Sequence, residues 1–249
     1  MIASKNAHVQ RALLLPTASL VLALLGVSES RAEDDYVIYS PLVTQGETEA
    51  ELRGYQMWSG NKTLDHSGSF GLALAYSPTN WWKTELFTGP FDYSPTLQPV
   101  RHGSEWENIF QLADHGQFWA DPGLLVSYVQ SNQPGVPNAV ELTPLLERST
   151  PQYIERFNVV FQKLIGVNLI GRFNTRYSYM ADYKWKEGFA PGIEAYDFPS
   201  DNTHQVGPGF SGEWALGSHY TLEYSGAFLY GIYQGNVGSA LVLRVSTVF

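Results

Sequence analysis

The chain has 249 residues, a formal net charge of −9, 14% aromatic residues and no cysteine. That length suits one all-β domain, the acidic balance without a Lys/Arg run argues against nucleic acid as a partner, and zero cysteine excludes disulfides, thiolate metal sites and a lipidated N-terminal Cys. A mean hydropathy of −0.17 is too low for a bundle of membrane helices, each needing about 20 apolar residues in a row. It suits a membrane barrel, in which only every second residue must be apolar.

Lys5 and Arg11 precede an apolar run over residues 12–27, and Ser30, Arg31 and Ala32 put small residues where a signal peptidase reads. This is the layout of a secretory signal cleaved after Ala32, so the predicted domains are a signal peptide over 1–32 and a barrel over 33–249. A membrane anchor fits poorly, because the run is shorter than about 18 residues, holds Pro16 and has charge on both flanks. Acidic Glu33, Asp34 and Asp35 then lead into Tyr36-Val-Ile-Tyr-Ser-Pro41, a short extended segment.

From residue 48 the apolar period is two, the mark of strands with one greasy and one polar face. The first strand spans 48–58. The second spans 70–76, with Phe70, Leu72, Leu74 and Tyr76 outward and only Gly71, Ala73 and Ala75 inward, which lets the wall approach whatever fills the lumen. Trp82, Thr84 and Leu86 oppose Lys83 and Glu85, and residues 89–104 read as a long loop with three prolines. Trp106 to Leu112 alternates next, and a short link over 113–116 leads to Leu124, Val126 and Tyr128. The strand over 140–147 is the weakest, since Pro144 cannot donate to a ladder and Leu145-Leu146 also suits a helix.

After a turn over 149–152, Phe157, Val159 and Phe161 oppose Arg156, Asn158 and Gln162, and a link falls near 166–171. Phe173 to Tyr179 alternates with Arg172, Asn174, Arg176 and Ser178, and a strand with Glu194 follows. In residues 206–214 the outer set is Val206, Pro208, Phe210 and Trp214, and the inner set includes Ser211 and Glu213. The pattern is clearest at the end: Tyr220, Leu222, Tyr224, Phe228 and Tyr230, then Leu241, Leu243, Val245, Thr247 and the terminal Phe249.

A mature chain of 217 residues (249 − 32) holds roughly 12 strands of 9 to 11 residues with their turns, an all-β, up-and-down transmembrane antiparallel barrel. Long connections after strands one, three and five, with short ones after two, four and six, put both termini in the periplasm.

Gly46-Glu-Thr-Glu-Ala-Glu-Leu-Arg-Gly54, Trp81-Trp-Lys-Thr-Glu-Leu86 and Trp106-Glu-Asn-Ile-Phe-Gln-Leu112 together resemble segments of proteobacterial outer-membrane barrels near the "MetA-pathway of phenol degradation" transporters. The resemblance implies a Gram-negative outer-membrane barrel with an uptake or efflux role and no catalytic pattern. It also implies an assembly machinery that reads the final strand, with Phe249 as its signal.

A charge facing lipid at mid-depth costs roughly 2–4 kcal/mol for Arg, so the shared parity of Arg53, Arg156, Arg172, Arg176 and Arg244 with Glu49, Glu51, Glu85, Glu107, Glu194, Glu213 and Glu223 points them at the lumen. Two readings stand: a polar pore whose charges select small solutes, or Arg–Glu pairs that fill the interior. A membrane hydrolase is the alternative enzyme reading, since His102 and Ser104 sit two residues apart, but no third group orients them. An exported soluble barrel with an apolar cavity is a third reading, and the outward aromatics oppose it. The six histidines lack metal-ligand spacing, so no metal and no cofactor are expected. Gly207-Pro-Gly209 lacks the Lys and helix of a phosphate loop and is expected to bend a strand. The expected partners are outer-membrane lipid, the assembly machinery and a small solute, with the chain acting as a monomer.

Overall fold

The computed structural model describes residues 36–249 except 63–64, 96, 167–172 and 233–237, so the predicted signal peptide and Arg172 lie outside the described residues. Thirteen strands follow in chain order: β1 (Thr48–Trp58), β2 (Gly68–Tyr76), β3 (Trp82–Ser94), β4 (Leu97–Arg101), β5 (Gly103–Gln111), β6 (Asp121–Ser131), β7 (Asn138–Ser149), β8 (Tyr153–Ile165), β9 (Phe173–Tyr183), β10 (Ala190–Phe198), β11 (Thr203–Ala215), β12 (Thr221–Gly231) and β13 (Ser239–Val248). Twelve of them close into an antiparallel barrel. Each pairs with its chain neighbours, β3 passes to β5, and β13 returns to β1 from Glu49↔Val248 to Trp58↔Ser239. β4 pairs only with β3, as a short arm beyond the rim. Among the described residues no α-helix occurs.

Alternation decides which face goes where. Leu72, Leu74 and Tyr76 stand exposed on β2 while Ala73 and Ala75 between them are buried, and Leu243 and Val245 flank a buried Arg244 on β13. Among the described residues closure pairs both edges of each of the twelve barrel strands, and the outward side chains form an apolar band. Aliphatic residues such as Leu52, Leu86, Leu142 and Ile193 occupy its middle. At the end carrying the turns over 77–81, 150–152 and 216–220, exposed Trp81, Tyr153, Trp214, Tyr220 and Phe249 make an aromatic belt. The Tyr153 ring lies 5.3 Å from that of Tyr183 and the Tyr220 ring 6.0 Å from that of Phe249, both pairs tilted.

Three sequence expectations need correction. Residues 89–104 are mostly strand: β3 continues to Ser94 past a bulge opposite Phe70 and Leu72, and β5 already begins at Gly103. The link read over 113–116 covers 112–120. Pro144 lies inside a full strand, because it faces outward and its missing donor falls in a two-residue gap of the β7–β8 ladder, between Leu142↔Phe161 and Leu145↔Asn158. The register is the same on both sides of that gap. Leu145 is buried and Leu146 exposed, a strand's alternation and not a helix's. Pro208 repeats the device, since the β11–β12 ladder skips from Val206↔Tyr230 to Gly209↔Ala227.

Candidate functional site: the barrel interior

Arg53 projects inward from the middle of β1 and is 4% exposed. Its Nη2 donates to Glu107 Oε1 at 2.6 Å and its Nη1 to Glu85 Oε1 at 3.2 Å, with the Phe87 ring 4.0 Å from the guanidinium. Those partners sit on β3 and β5, and β2 lies between them and β1. The reach is possible because β2 presents only small residues, Gly71, Ala73 and Ala75, to the interior beside Arg53, and a Cβ at Gly71 would overlap the Phe87 ring. Glu85 and Glu107 are direct cross-strand neighbours, an arrangement that repels unless a cation lies between them.

Four further ion pairs line the wall. Arg176 Nη2 meets Glu141 Oε1 at 2.7 Å, and Gln162 Nε2 and Asn174 extend that group by hydrogen bonds. Arg156 Nε meets Glu147 Oε2 at 2.7 Å. Arg244 Nη2 meets Glu194 Oε1 at 2.5 Å, and its Nε donates to Ser225 Oγ. Lys83 pairs with Glu49. Among described strand residues the inner parity holds thirteen acids (Glu49, Glu51, Glu85, Asp92, Glu105, Glu107, Asp121, Glu141, Glu147, Asp182, Glu194, Glu213, Glu223) against five cations (Arg53, Lys83, Arg156, Arg176, Arg244).

Glu213 and Glu223 differ from the other predicted lumen residues. They oppose each other across β11 and β12 at the short-turn rim, where both are exposed to solvent. Phe249 is exposed as well, and its backbone exchanges hydrogen bonds with Thr48 of β1, closing the seam. At the same rim Glu47 precedes β1, and burial, with Glu49 adding to it and Lys83 opposing, lifts its carboxyl above the usual range.

The wall does not enclose an empty tube. Residues 36–43 run through the interior as an eight-residue extended segment, about 23 Å long at roughly 3.3 Å per residue step. At its inner end the Tyr36 ring lies 4.9 Å from Tyr55, 5.1 Å from Tyr196 and 5.6 Å from Phe198. The Tyr36 hydroxyl donates to Gln205 Oε1 at 2.7 Å, and its carbonyl accepts from Arg244 Nη1 at 3.1 Å. Tyr39 N donates to Asn158 Oδ1 while Asn158 Nδ2 returns a bond to the Tyr39 carbonyl, and the Tyr39 hydroxyl donates to Glu107 Oε1 at 3.0 Å. Ser40 Oγ donates to Glu147 Oε2 at 2.6 Å and Val43 N to Gln111 Oε1 at 2.8 Å.

Gly123 lets the segment pass, since a Cβ there would lie 2.5 Å from the Pro41 Cβ. Gly46, at φ +83°, then turns the chain back into β1. With this occupant in place the middle of the interior is closely filled: Glu107, Asn158 and Gln205 are each 1% exposed.

Sequence reasoning took residues 36–41 for an extended terminal piece and missed their place inside the barrel. The available signals were the inward amides Gln111, Asn158 and Gln205, which need partners that no ionic neighbour supplies, and an inward Gly123 in an otherwise bulky strand. The His102–Ser104 pair is not assembled for catalysis. His102 Nδ1 lies 3.3 Å from Asp92 Oδ2 and its ring meets Gln133, whereas Ser104 Oγ accepts from Arg101.

No family model matches the chain, and no curated protein matches its sequence. Solved structures do. The chain is similar to the crystal structure of an outer membrane channel from Pseudomonas putida F1, with a TM-score of 0.56 at 12% identity over 83% of this chain and 97% of that one. It also matches the NanC porin, with a TM-score of 0.49 at 12% identity over 80% of this chain and 98% of that one. A third match is the CymD monoaromatic hydrocarbon channel, with a TM-score of 0.42 at 9% identity over 83% and 88%. The likeness to the Pseudomonas channel shows the fold, a closed antiparallel β-barrel of twelve strands.

Proposed function

We propose that the chain is a Gram-negative outer-membrane channel for small solutes, stoppered by its own residues 36–43. In this reading a cleaved signal over 1–32 exports it, the assembly machinery inserts it through the Phe249-ended strand, and it works as a monomer with its short turns toward the periplasm. The observation that carries the proposal is the two-faced wall: a mainly apolar exterior between aromatic side chains and an ionic interior, which only a lipid surround makes favourable. Twelve strands lie between the eight that side chains fill and the sixteen or more that leave an aqueous pore. A barrel of this size needs an occupant to be closely filled, and the segment supplies one.

A filled structural barrel is the second reading, favoured by the burial of Glu107 and Asn158. Planar-bilayer recording separates the two. The intact chain is expected to show rare, brief openings, and a variant lacking residues 36–43 a steady conductance. A segment-free variant that folds, by heat-modifiable gel mobility, yet passes no current would leave the filled barrel standing.

A further inference from the structure

The barrel register places carboxylates from four strands in one row. Glu49 on β1 stands opposite Ala75, Ala75 opposite Glu85, Glu85 opposite Glu107, Glu107 opposite Ser127, and Ser127 opposite Glu141 on β7. The row covers half the wall. On the other side of β1, Glu51 and Glu223 both oppose Ser246, and Glu223 opposes Glu213, which carries the acidic lining to the short-turn rim. The cations on these strands are already engaged: Arg53 lies between Glu85 and Glu107, Arg176 binds Glu141, and Lys83 binds Glu49. With thirteen acids against five cations, the excess inner charge is negative.

A separate observation concerns what the wall asks of its occupant. Of the bonds described above, five run from donors of the segment to acceptors of the wall, namely the Tyr36 and Tyr39 hydroxyls, the Ser40 hydroxyl, and the backbone N–H groups of Tyr39 and Val43, while two run the other way, from Arg244 to the Tyr36 carbonyl and from Asn158 to the Tyr39 carbonyl. Two of the acceptors are the carboxylates Glu107 and Glu147. The groove therefore binds a donor-rich strand that carries no charge in residues 36–43. A solute offering an ammonium group would make the same bonds with charge assistance, which roughly doubles the strength of each.

From these two observations we infer that the lumen selects small cationic solutes bearing hydrogen-bond donors, primary amines being the simplest, and that they compete with Tyr39 and Ser40 for Glu107 and Glu147. This rests on the channel reading above and names the solute class for it. Rings of Asp and Glu are the established means by which pores prefer cations.

The test is the reversal potential across a planar bilayer in a KCl gradient, with the full chain, the variant lacking 36–43, and a full-length Tyr36→Ala/Tyr39→Ala chain that only loosens the segment. The expected result is a K+ over Cl− permeability ratio of about threefold or more. Glu107→Gln combined with Glu141→Gln should bring it toward unity. Propylammonium added to one side should reduce the K+ current, and propionate at the same concentration should not. A ratio near one, a preference for Cl−, or equal effects of the two organic ions overturns the inference while leaving the channel. Absence of current in every folded variant removes the channel reading and this inference with it.

Discussion

Replacing Arg53 with Met removes the cation from the densest part of the interior while keeping a flexible chain over the Phe87 ring. At 4% exposure the guanidinium is little screened by salt, so its two short contacts, 2.6 Å to Glu107 and 3.2 Å to Glu85, act at close to full strength. Its loss leaves two carboxylates directly opposed across β3 and β5, with Glu51 nearby. Breaking a buried pair on one side costs about 3–5 kcal/mol, and the lost cation–π contact adds up to about 1 kcal/mol. Equilibrium urea unfolding in phospholipid vesicles, followed by tryptophan fluorescence, should therefore show Arg53→Met destabilised by about 3 kcal/mol or more. Adding Glu107→Gln to that variant removes one of the opposed charges and should restore at least about 1 kcal/mol, a coupling expected of residues in contact. A single variant within about 1 kcal/mol of the parent, or strictly additive effects, would refute the reasoning.

Other perturbations bear on separate parts of the structure. Pro144→Ala should change stability by less than about 1 kcal/mol in the same assay, because the proline already sits in a ladder gap and faces outward. Gly207→Ala should be costly by about 1–3 kcal/mol, since its Cβ would press into the Phe228 backbone carbonyl. Glu47→Gln should raise the thermal midpoint at pH 7 more than at pH 4. The folded state lifts the Glu47 carboxyl chiefly by burial, so its contribution is present at low pH and is lost as pH rises through the raised value. Deleting Phe249 removes the seam bonds to Thr48 and should slow insertion, measured as the folded fraction against time in an assembly assay; unchanged kinetics would dismiss that role.

The wall was legible because lipid and lumen impose opposite demands on alternate residues. The sequence boundaries of β1 match its observed span, Thr48–Trp58, and the apolar sets of β12 and β13 fall on the outer face. Periodicity was silent where a different constraint ruled. Prolines made the β3–β5 hairpin look like a loop and β7 look interrupted, yet Pro144 pairs with Leu124 of β6 and merely falls in a gap of the ladder to β8. The segment over 36–43 was the least legible, because the hydrogen-bond partners of Tyr39 and Tyr36 lie 68 to 208 residues away, and no local pattern encodes contacts of that range. The ionic side chains could be assigned to a face from parity alone. Which acid each Arg takes could not, since Arg53 skips a strand to reach Glu85.

The most direct measurement ties the segment to the wall and reads the current. The chain has no cysteine, so Pro41→Cys with Gly123→Cys makes one unambiguous pair. A Cβ at 123 would start 2.5 Å from that of Pro41, and the segment need move only about an ångström to reach disulfide spacing near 3.8 Å. In a planar bilayer the oxidised protein should stay closed, and reductant should bring back openings at the frequency of the unlinked chain. Equal conductance with and without the crosslink would contradict a stopper formed by residues 36–43.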